Sequence, residues 1–382
     1  MIYWVIGFVL ILFALYGLRR DCKSVNMIIW TMFVVFTLFQ GLRWNTGADW
    51  QQYLRVFETC DWKHIFTFDR GGGSRYMEFG YVFLNVLIKS IFREYTFFLL
   101  ITCGFINLMY RRVLRLYIPT KYQTLAFALF LLMSSMFPVR QALACSFFIG
   151  FGVQALLNKD WKVYFCTVAV CCTLHYSCLV LVLFYFIDRF INTYILLGVY
   201  LSFSFIVEFL PGLMDMVIQL PGIREMAFAS LVERYQNADT MVEKVGLLNN
   251  STTIVFAVLQ ILFFGWLRKQ FKADESKYKL LNLSLNMYVV TSTCRQISLY
   301  PGMNEFARFG YFAGVGYLIL VAYTFIFFYE RYKKDSLLIT LVFVSFICFK
   351  IRALFYDIYS DLFIPYYSIF EHSTQRDTWI YF

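Results

Sequence analysis

Apolar residues run through the chain in long unbroken blocks, separated by short polar stretches. The blocks cover approximately residues 2–18, 25–42, 79–92, 95–110, 122–137, 142–157, 163–187, 194–210, 252–267, 281–300, 309–329 and 337–349. A helix needs about 20 apolar residues to cross a bilayer, so the pattern predicts a polytopic helical membrane protein. The blocks do not alternate with period two, which argues against a β-barrel. Several blocks are short, and the Tyr and Trp at their edges suit the membrane interface.

Lys and Arg cluster between the blocks and orient them, because cations are retained on the cytoplasmic side. The first block has no basic residues before it and Arg19, Arg20 and Lys23 after it. This reverses the polarity of a secretory signal and predicts a retained helix with its N-terminus outside. Simple alternation of all the blocks would put Arg111, Arg112, Arg115, Lys121, Lys159 and Lys162 outside. Two changes bring every basic cluster inside. The short block 79–92, which contains Lys89, dips in and returns. The long block 163–187 breaks into half-helices with His175 at an outer turn. The expected fold is therefore all-α, with about ten full spans, two re-entrant or broken elements and both termini outside. It forms a single membrane domain over 1–382, with outer loops 43–78 and 211–250 and an outer tail 350–382. Irregular backbone at membrane depth is tolerated where it lines protein or a watery cavity, so the two breaks point to a cavity.

Composition agrees. Hydrophobic residues make up 60% of the 382 and charged residues only 15%, against about 25% charged in soluble domains. Mean hydropathy is +0.63. These values exclude a soluble enzyme, a disordered chain and a secreted disulfide scaffold. The net charge of +10 reads as topology rather than as a nucleic-acid surface. The ten Cys lie mostly inside apolar blocks, with no Cys-x-x-Cys and no zinc spacing, so no metal or cofactor is expected.

Five polar motifs remain. Arg43-Trp-Asn-Thr-Gly47-Ala-Asp49, followed by Tyr53, offers a cation with a planar fork suited to phosphate and a glycine that turns Asp49 back toward it. Glu78-Phe-Gly80-Tyr81 places a carboxylate at the start of the re-entrant block. Upstream, Arg70-Gly-Gly-Gly-Ser-Arg75 lacks the ending of a P-loop and reads as a flexible loop or lid. Phe137-Pro-Val-Arg140-Gln141 puts an arginine at a helix start on the outer side. His175-Tyr176-Ser177 sets an ionisable ring inside an apolar block, where such groups are functional candidates by default. Asn304-x-x-x-Arg308-x-x-Tyr311 opens a late span, and Arg295 lies one span-length earlier. Plainer roles compete: interfacial snorkelling for Arg43, helix capping for Asp49, a dipole-stabilising acid at Glu78, a helix anchor at Arg140 and a packing tie at His175. The tail residues Asp357, Asp361, Glu371, Arg376 and Asp377 read as a solvated segment. Charge-based topology puts Arg43, Asp49, Glu78, Arg140, His175 and Arg308 on one face, as a site for a polyanion with acid–base groups beside it. Diphosphate fits three arginines, and the absence of Asp-x-Asp gives little support to a metal-held diphosphate.

At these residues, and at Ile364-Pro365-Tyr366-Tyr367, the sequence resembles the EpsG family of exopolysaccharide polymerases, related in role to Wzy O-antigen polymerases. The resemblance runs through most of the chain. It implies a GT-C-like inner-membrane glycosyltransferase acting on polyprenyl-diphosphate-linked oligosaccharides at the periplasmic face. A chain-length regulator and a flippase of the same pathway are its implied partners, and nucleic acid is not. A sugar hydroxyl would attack the anomeric carbon of the growing chain, and polyprenyl diphosphate would leave. On this reading Arg43, Arg140 and Arg308 hold the diphosphate, with Gln141, Tyr53, Asn304 and Tyr311 around the substrate. Asp49, Glu78 or His175 takes the hydroxyl proton. Imidazole is slightly preferred because its ordinary pKa, about 6.5, is nearest neutrality. An O-antigen ligase-type transferase needs nearly the same site. A flippase or transporter should instead show matched broken helices and polar groups at the bilayer midplane.

Overall fold

In the computed structural model the described residues are 1–47, 49–67, 77–133, 137, 140–209, 247–299, 305–332, 336–355, 360 and 363–371. The helices are α1 (Ile2–Gly17), α2 (Cys22–Gly41), α3 (Trp50–Thr59), α4 (Phe79–Phe92), α5 (Tyr95–Tyr117), α6 (Gln123–Met133), α7 (Arg140–Leu157), α8 (Trp161–Leu174), α9 (Thr193–Ile206), α10 (Leu247–Gln270), α11 (Glu275–Ile297), α12 (Glu305–Arg331) and α13 (Ser336–Ala353). Two short strands, β1 (Arg43–Trp44) and β2 (Tyr367–Ser368), pair antiparallel. Among the described residues six helices are long and apolar enough to cross a membrane: α2, α5, α7, α10, α12 and α13. Helices α1, α4, α8 and α9 are apolar but shorter. The protein is an all-α multi-pass membrane protein.

The chain forms two compact units, residues 1–179 with 322–382, and residues 180–321. In the first unit α6 is buried continuously from Gln123 to Leu132, as expected of a helix that is apolar all round. Helices α2 and α5 run antiparallel beside each other. Arg111 near the end of α5 donates to Asn26 at the start of α2 (2.9 Å). Higher up, Asn107 donates to Thr37 and Gln40, both at 3.0 Å. Beyond the end of α2, Arg43 reaches Cys103 of α5. Amide bonds of this kind pin helices together where burial gives no preference between protein and lipid.

This pairing fixes the course of the intervening chain. Since α5 begins at the end of the bundle where α2 finishes, residues 43–94 start and finish at one end. The apolar helix within this segment, α4, is anchored at both ends. Glu78, just before it, pairs with Arg140 at the start of α7, and Lys89 near its end donates to the carbonyls of Glu58 and Cys60 at the end of α3.

Cations stand at both ends of the first unit: Arg55, Lys63 and Arg93 are exposed in the 43–94 segment, and others lie where α2 begins and α5 finishes. Arg111 stacks on Trp30 (4.1 Å). Arg112 donates to the Gly150 carbonyl and to Gln154, both at 2.8 Å. Those acceptors lie on the second half of α7, where a π-helical turn over Phe148–Gly152 loosens the backbone ladder. The turn after α7 carries Lys159, and Lys162 lies in the first turn of α8. Arg19 and Lys121 face a common cavity. Arg43 and Arg140 stand at the opposite end.

The expected break in 163–187 falls where the sequence placed it. Helix α8 stops at Leu174, and His175 is extended (φ −158°). A 3₁₀ stretch over Tyr176–Val180 and one α-turn over Leu181–Phe184 come next, in place of a second half-helix. The backbone N–H of Ser177 turns to the His175 ring (3.3 Å), a local side-chain bond that competes with helix. Residues 363–371 of the tail fold back onto the turn after α2, because their backbone groups find partners there. Glu371 itself is exposed. Asp357, Asp361, Arg376, Asp377, the 70–75 loop and most of the 211–250 loop lie outside the described residues.

In the second unit one buried cation organises the helix ends. Arg268 is bonded to the Ile191 carbonyl and Thr193 hydroxyl (both 3.1 Å) and to the Asn282 amide oxygen. Asn282 and Asn286 donate to the Arg189 carbonyl. Segment 187–193 is thereby tied to α10 and α11.

Glu94→Cys, in a background without the exposed Cys22 and Cys166, should react with a charged thiol reagent from one side of sealed vesicles. Lys23→Cys and Lys162→Cys should react from the other. Labelling of all three from one side would mean that α4 crosses.

Candidate functional site

The turn after α2 is shaped by its residue types. Asn45 (φ 40°), Gly47 (φ 105°) and Asp49 (φ 59°) all occupy positive φ, a region tolerated by glycine and, less readily, by Asn and Asp. A Cβ on Gly47 would also press on Phe137 at 3.2 Å. Asp49 takes the N-cap position of α3 without capping it through its side chain. The simple capping role is thus not realised, and the half-buried carboxylate lies at the helix mouth.

The returning tail closes this turn. Arg43 pairs with Ser368 and Trp44 with Tyr367, and Ile369 donates to the Leu42 carbonyl (2.9 Å). The buried Thr46 hydroxyl accepts from the Tyr367 N–H (3.2 Å). Tyr366 stacks on Phe39 (5.0 Å) and donates to its carbonyl (2.8 Å). Tyr3 of α1 donates to the Phe363 carbonyl. Burial pushes the Tyr366 phenol up to about 12, against the opposing pull of the Arg43 guanidinium. Arg43 is only 2% exposed. It donates to the Gln40 carbonyl (2.8 Å) and Cys103, with its guanidinium 5.4 Å from the Phe137 ring centre.

Phe137 lies three residues before Arg140, which opens α7 and is 5% exposed. Arg140 forms an ion pair with Glu78, whose side chain is 9% exposed. It also touches the Met77 sulfur and lies near the Tyr81 ring. The other Glu78 oxygen accepts from the Tyr176 N–H (3.1 Å). One carboxylate therefore holds the start of α7 and the end of α8 together. Gly80 permits this approach: a Cβ there would fall 2.3 Å from the Thr173 hydroxyl and 2.8 Å from its carbonyl. His175 is buried at 3% exposure and stacks on Tyr176. Its Nδ1 lies 2.7 Å from the Ser177 hydroxyl and accepts from the Ser177 N–H. With Nδ1 accepting, the neutral ring carries its proton on Nε2. Tyr53 packs edge-on against Tyr81 (5.7 Å), and Gln141 is half-buried behind Arg140. A cavity of about 10 Å³ lies among Tyr81, Tyr95, Thr102 and Arg140.

The structure thus brings Arg43, Tyr53, Glu78, Arg140, Gln141 and His175 to one end of the first unit. Arg308 and Tyr311 are exposed on α12 in the second unit, and Asn304 lies outside the described residues. Among the described residues no three metal-ligating side chains converge. Sequence reasoning passed over Thr46, Phe137 as a platform for Arg43, Tyr3 as an anchor for the tail, and Cys103, which it gave no role. Only the aromatic density of these segments signalled them.

Fold and site define a multi-pass helical membrane protein with guanidinium, carboxylate and imidazole groups gathered at one end of a helical unit. The chain belongs to the EpsG family, a family of Wzy-like polysaccharide polymerases, and matches it over residues 26–368. That range includes both β1 and β2. No curated protein and no solved structure matches the chain.

Removing one partner of a buried ion pair typically costs about 3–5 kcal/mol, because the other charge is left uncompensated. Arg140→Ala and Glu78→Ala should each lower unfolding stability in detergent by about that much. The Arg140→Ala/Glu78→Ala double variant should be less destabilised than the sum of the two single variants. Strict additivity would mean that the pair contributes nothing as a pair.

Proposed function

We propose that the protein joins oligosaccharide repeat units carried on polyprenyl diphosphate, in the bacterial inner membrane, with its reacting groups at the periplasmic face. The observation that carries this reading is the grouping of Arg43, Glu78, Arg140 and His175 at the end of the first unit where α2 finishes and α5 begins. On this reading the clusters Arg19–Lys23 and Lys159–Lys162 mark the cytoplasmic end, and the Arg43 end faces the periplasm. Membership of a polysaccharide polymerase family supplies the reaction class.

The acceptor sugar hydroxyl attacks the anomeric carbon of the growing chain. The new glycosidic C–O bond forms as the bond from carbon to diphosphate oxygen breaks, and the electron pair leaves with polyprenyl diphosphate. The hydroxyl proton passes to a base of the site. Arg140 is the chief electrostatic group: Glu78 keeps its guanidinium in place until the substrate diphosphate competes for it. Arg43 adds positive potential from behind the Phe137 ring. Donors aimed at charge that develops in the transition state are worth about 2.7–4 kcal/mol each.

Of the three candidate bases, Glu78 has both oxygens committed to Arg140 and Tyr176, which suits positioning. His175 remains the preferred proton acceptor: its Nδ1 receives the proton through the Ser177 hydroxyl, which is already in hydrogen-bond contact. Asp49 stands in reserve at the mouth of α3. Tyr53 and Gln141, at the same end of the first unit, contact the sugar. The GT-C-like arrangement of about ten spans, with α4 and the His175 break as re-entrant elements, is part of this proposal.

Reconstituted with one defined polyprenyl-diphosphate repeat unit, the protein should produce a ladder of oligomers. A single transfer to a different acceptor would indicate a ligase. His175→Asn should lower turnover by about 10²–10⁴-fold while leaving thermal stability close to that of the parent. Normal ladders from that variant would remove His175 from the mechanism.

A further inference from the structure

At the opposite end of α1 from the Arg43 turn lies a cavity of about 510 Å³. Its walls are Leu12 and Leu15 of α1, Arg19 after it, Lys121 before α6, Tyr329 of α12 and Thr340 of α13. All belong to the first unit. The floor is polar: the Tyr329 hydroxyl lies 2.9 Å from the Thr340 hydroxyl, which donates to the Ser336 carbonyl. Ser336 also lines the cavity and is the first residue of α13, an 18-residue helix whose opening N–H groups have no intrahelical partner. Neither Arg19 nor Lys121 pairs with a carboxylate among the described residues. Glu330 is exposed beside Tyr122 and is not part of the lining. The site therefore offers two cations to an anion.

Its mouth is apolar. Phe8, Leu12 and Tyr16 are each at least half exposed and succeed one another at four-residue spacing along α1. They form a stripe that runs from the bilayer-facing surface to the cavity. A soluble anion has no use for that stripe, whereas an acyl chain does. Basic pockets between helices at the cytoplasmic membrane surface suit anionic lipid headgroups.

We propose that this cavity binds one anionic phospholipid, with the phosphodiester between Arg19 and Lys121 and an acyl chain along Leu12 and Phe8. The site is independent of the glycan chemistry. It locks α1, α6, α12 and α13 together at one end of the unit, while the tail clasps α1 at the other.

The test is native mass spectrometry of the full chain in mild detergent, titrated with phosphatidylglycerol, phosphatidylcholine or inorganic phosphate. One phosphatidylglycerol should be retained per chain. Phosphatidylcholine should not be retained, and millimolar phosphate should not displace the lipid. At about 1 kcal/mol per cation near the membrane surface, Arg19→Gln/Lys121→Gln should bind about thirty-fold more weakly. Leu12→Trp, which fills the mouth without changing charge, should also lose the lipid. Arg115→Gln, a cation at the same end but outside the cavity, should keep it. Equal retention of phosphatidylcholine, displacement by phosphate, undiminished binding to either cavity variant, or equal loss in Arg115→Gln would overturn the proposal.

Discussion

A guanidinium withdrawn from water must find a counter-charge or a set of carbonyl acceptors, and most of this architecture rests on how Arg140 meets that demand. Its partner Glu78 comes from the chain just before α4. The same carboxylate accepts the Tyr176 N–H at the break after α8. One buried ion pair thus brings three chain segments to one place. Such a pair is costly to desolvate and is poor evidence for stability in itself. It does define geometry: the irregular backbone at Glu78 and His175 is tolerated because its polar groups are answered within the protein.

Arg43 solves the same problem differently. It uses a carbonyl, a thiol and an aromatic face, and the C-terminal segment seals it by adding a two-residue ladder. The register Arg43 with Ser368 joins residues more than 300 positions apart. The energy of so short a ladder is small. Burial of Tyr366 against Phe39 and Phe137 holds it in place.

Much of this was legible in the sequence because charge cannot hide in a bilayer. The clusters at Arg19, Arg111 and Lys159 demanded one end, and that demand alone implied that 79–92 turns back. The antiparallel contacts of α2 with α5 put both ends of segment 43–94 at one end of the unit. The break at His175 was readable from an ionisable ring inside an apolar run. Positive φ at Asn45, Gly47 and Asp49 was foreshadowed by the residue types. Partner choice was not legible. Nothing local to Glu78 says that Arg140, 62 residues away, will take its charge, or that its second oxygen will serve Tyr176. The exposure of Glu371 follows from its charge, but the return of residues 363–371 onto the turn after α2 does not. The hydrogen bonds that fold them back come from backbone and aromatic groups, which leave no periodic signal.

The fate of each arginine separates structural from chemical roles. Arg268 spends its side chain on a carbonyl, a hydroxyl and an amide within one unit and fastens helix ends. Arg111 and Arg112 do the same at the cation-rich end. All three answer to neutral acceptors. Arg140 is held by a carboxylate, so its charge is balanced within the protein, whereas the other three keep theirs. The guanidinium fork that meets Glu78 also matches phosphate oxygens, which is why Arg140 takes the leading place in the proposed function. The pair stands where α4, α7 and the end of α8 meet.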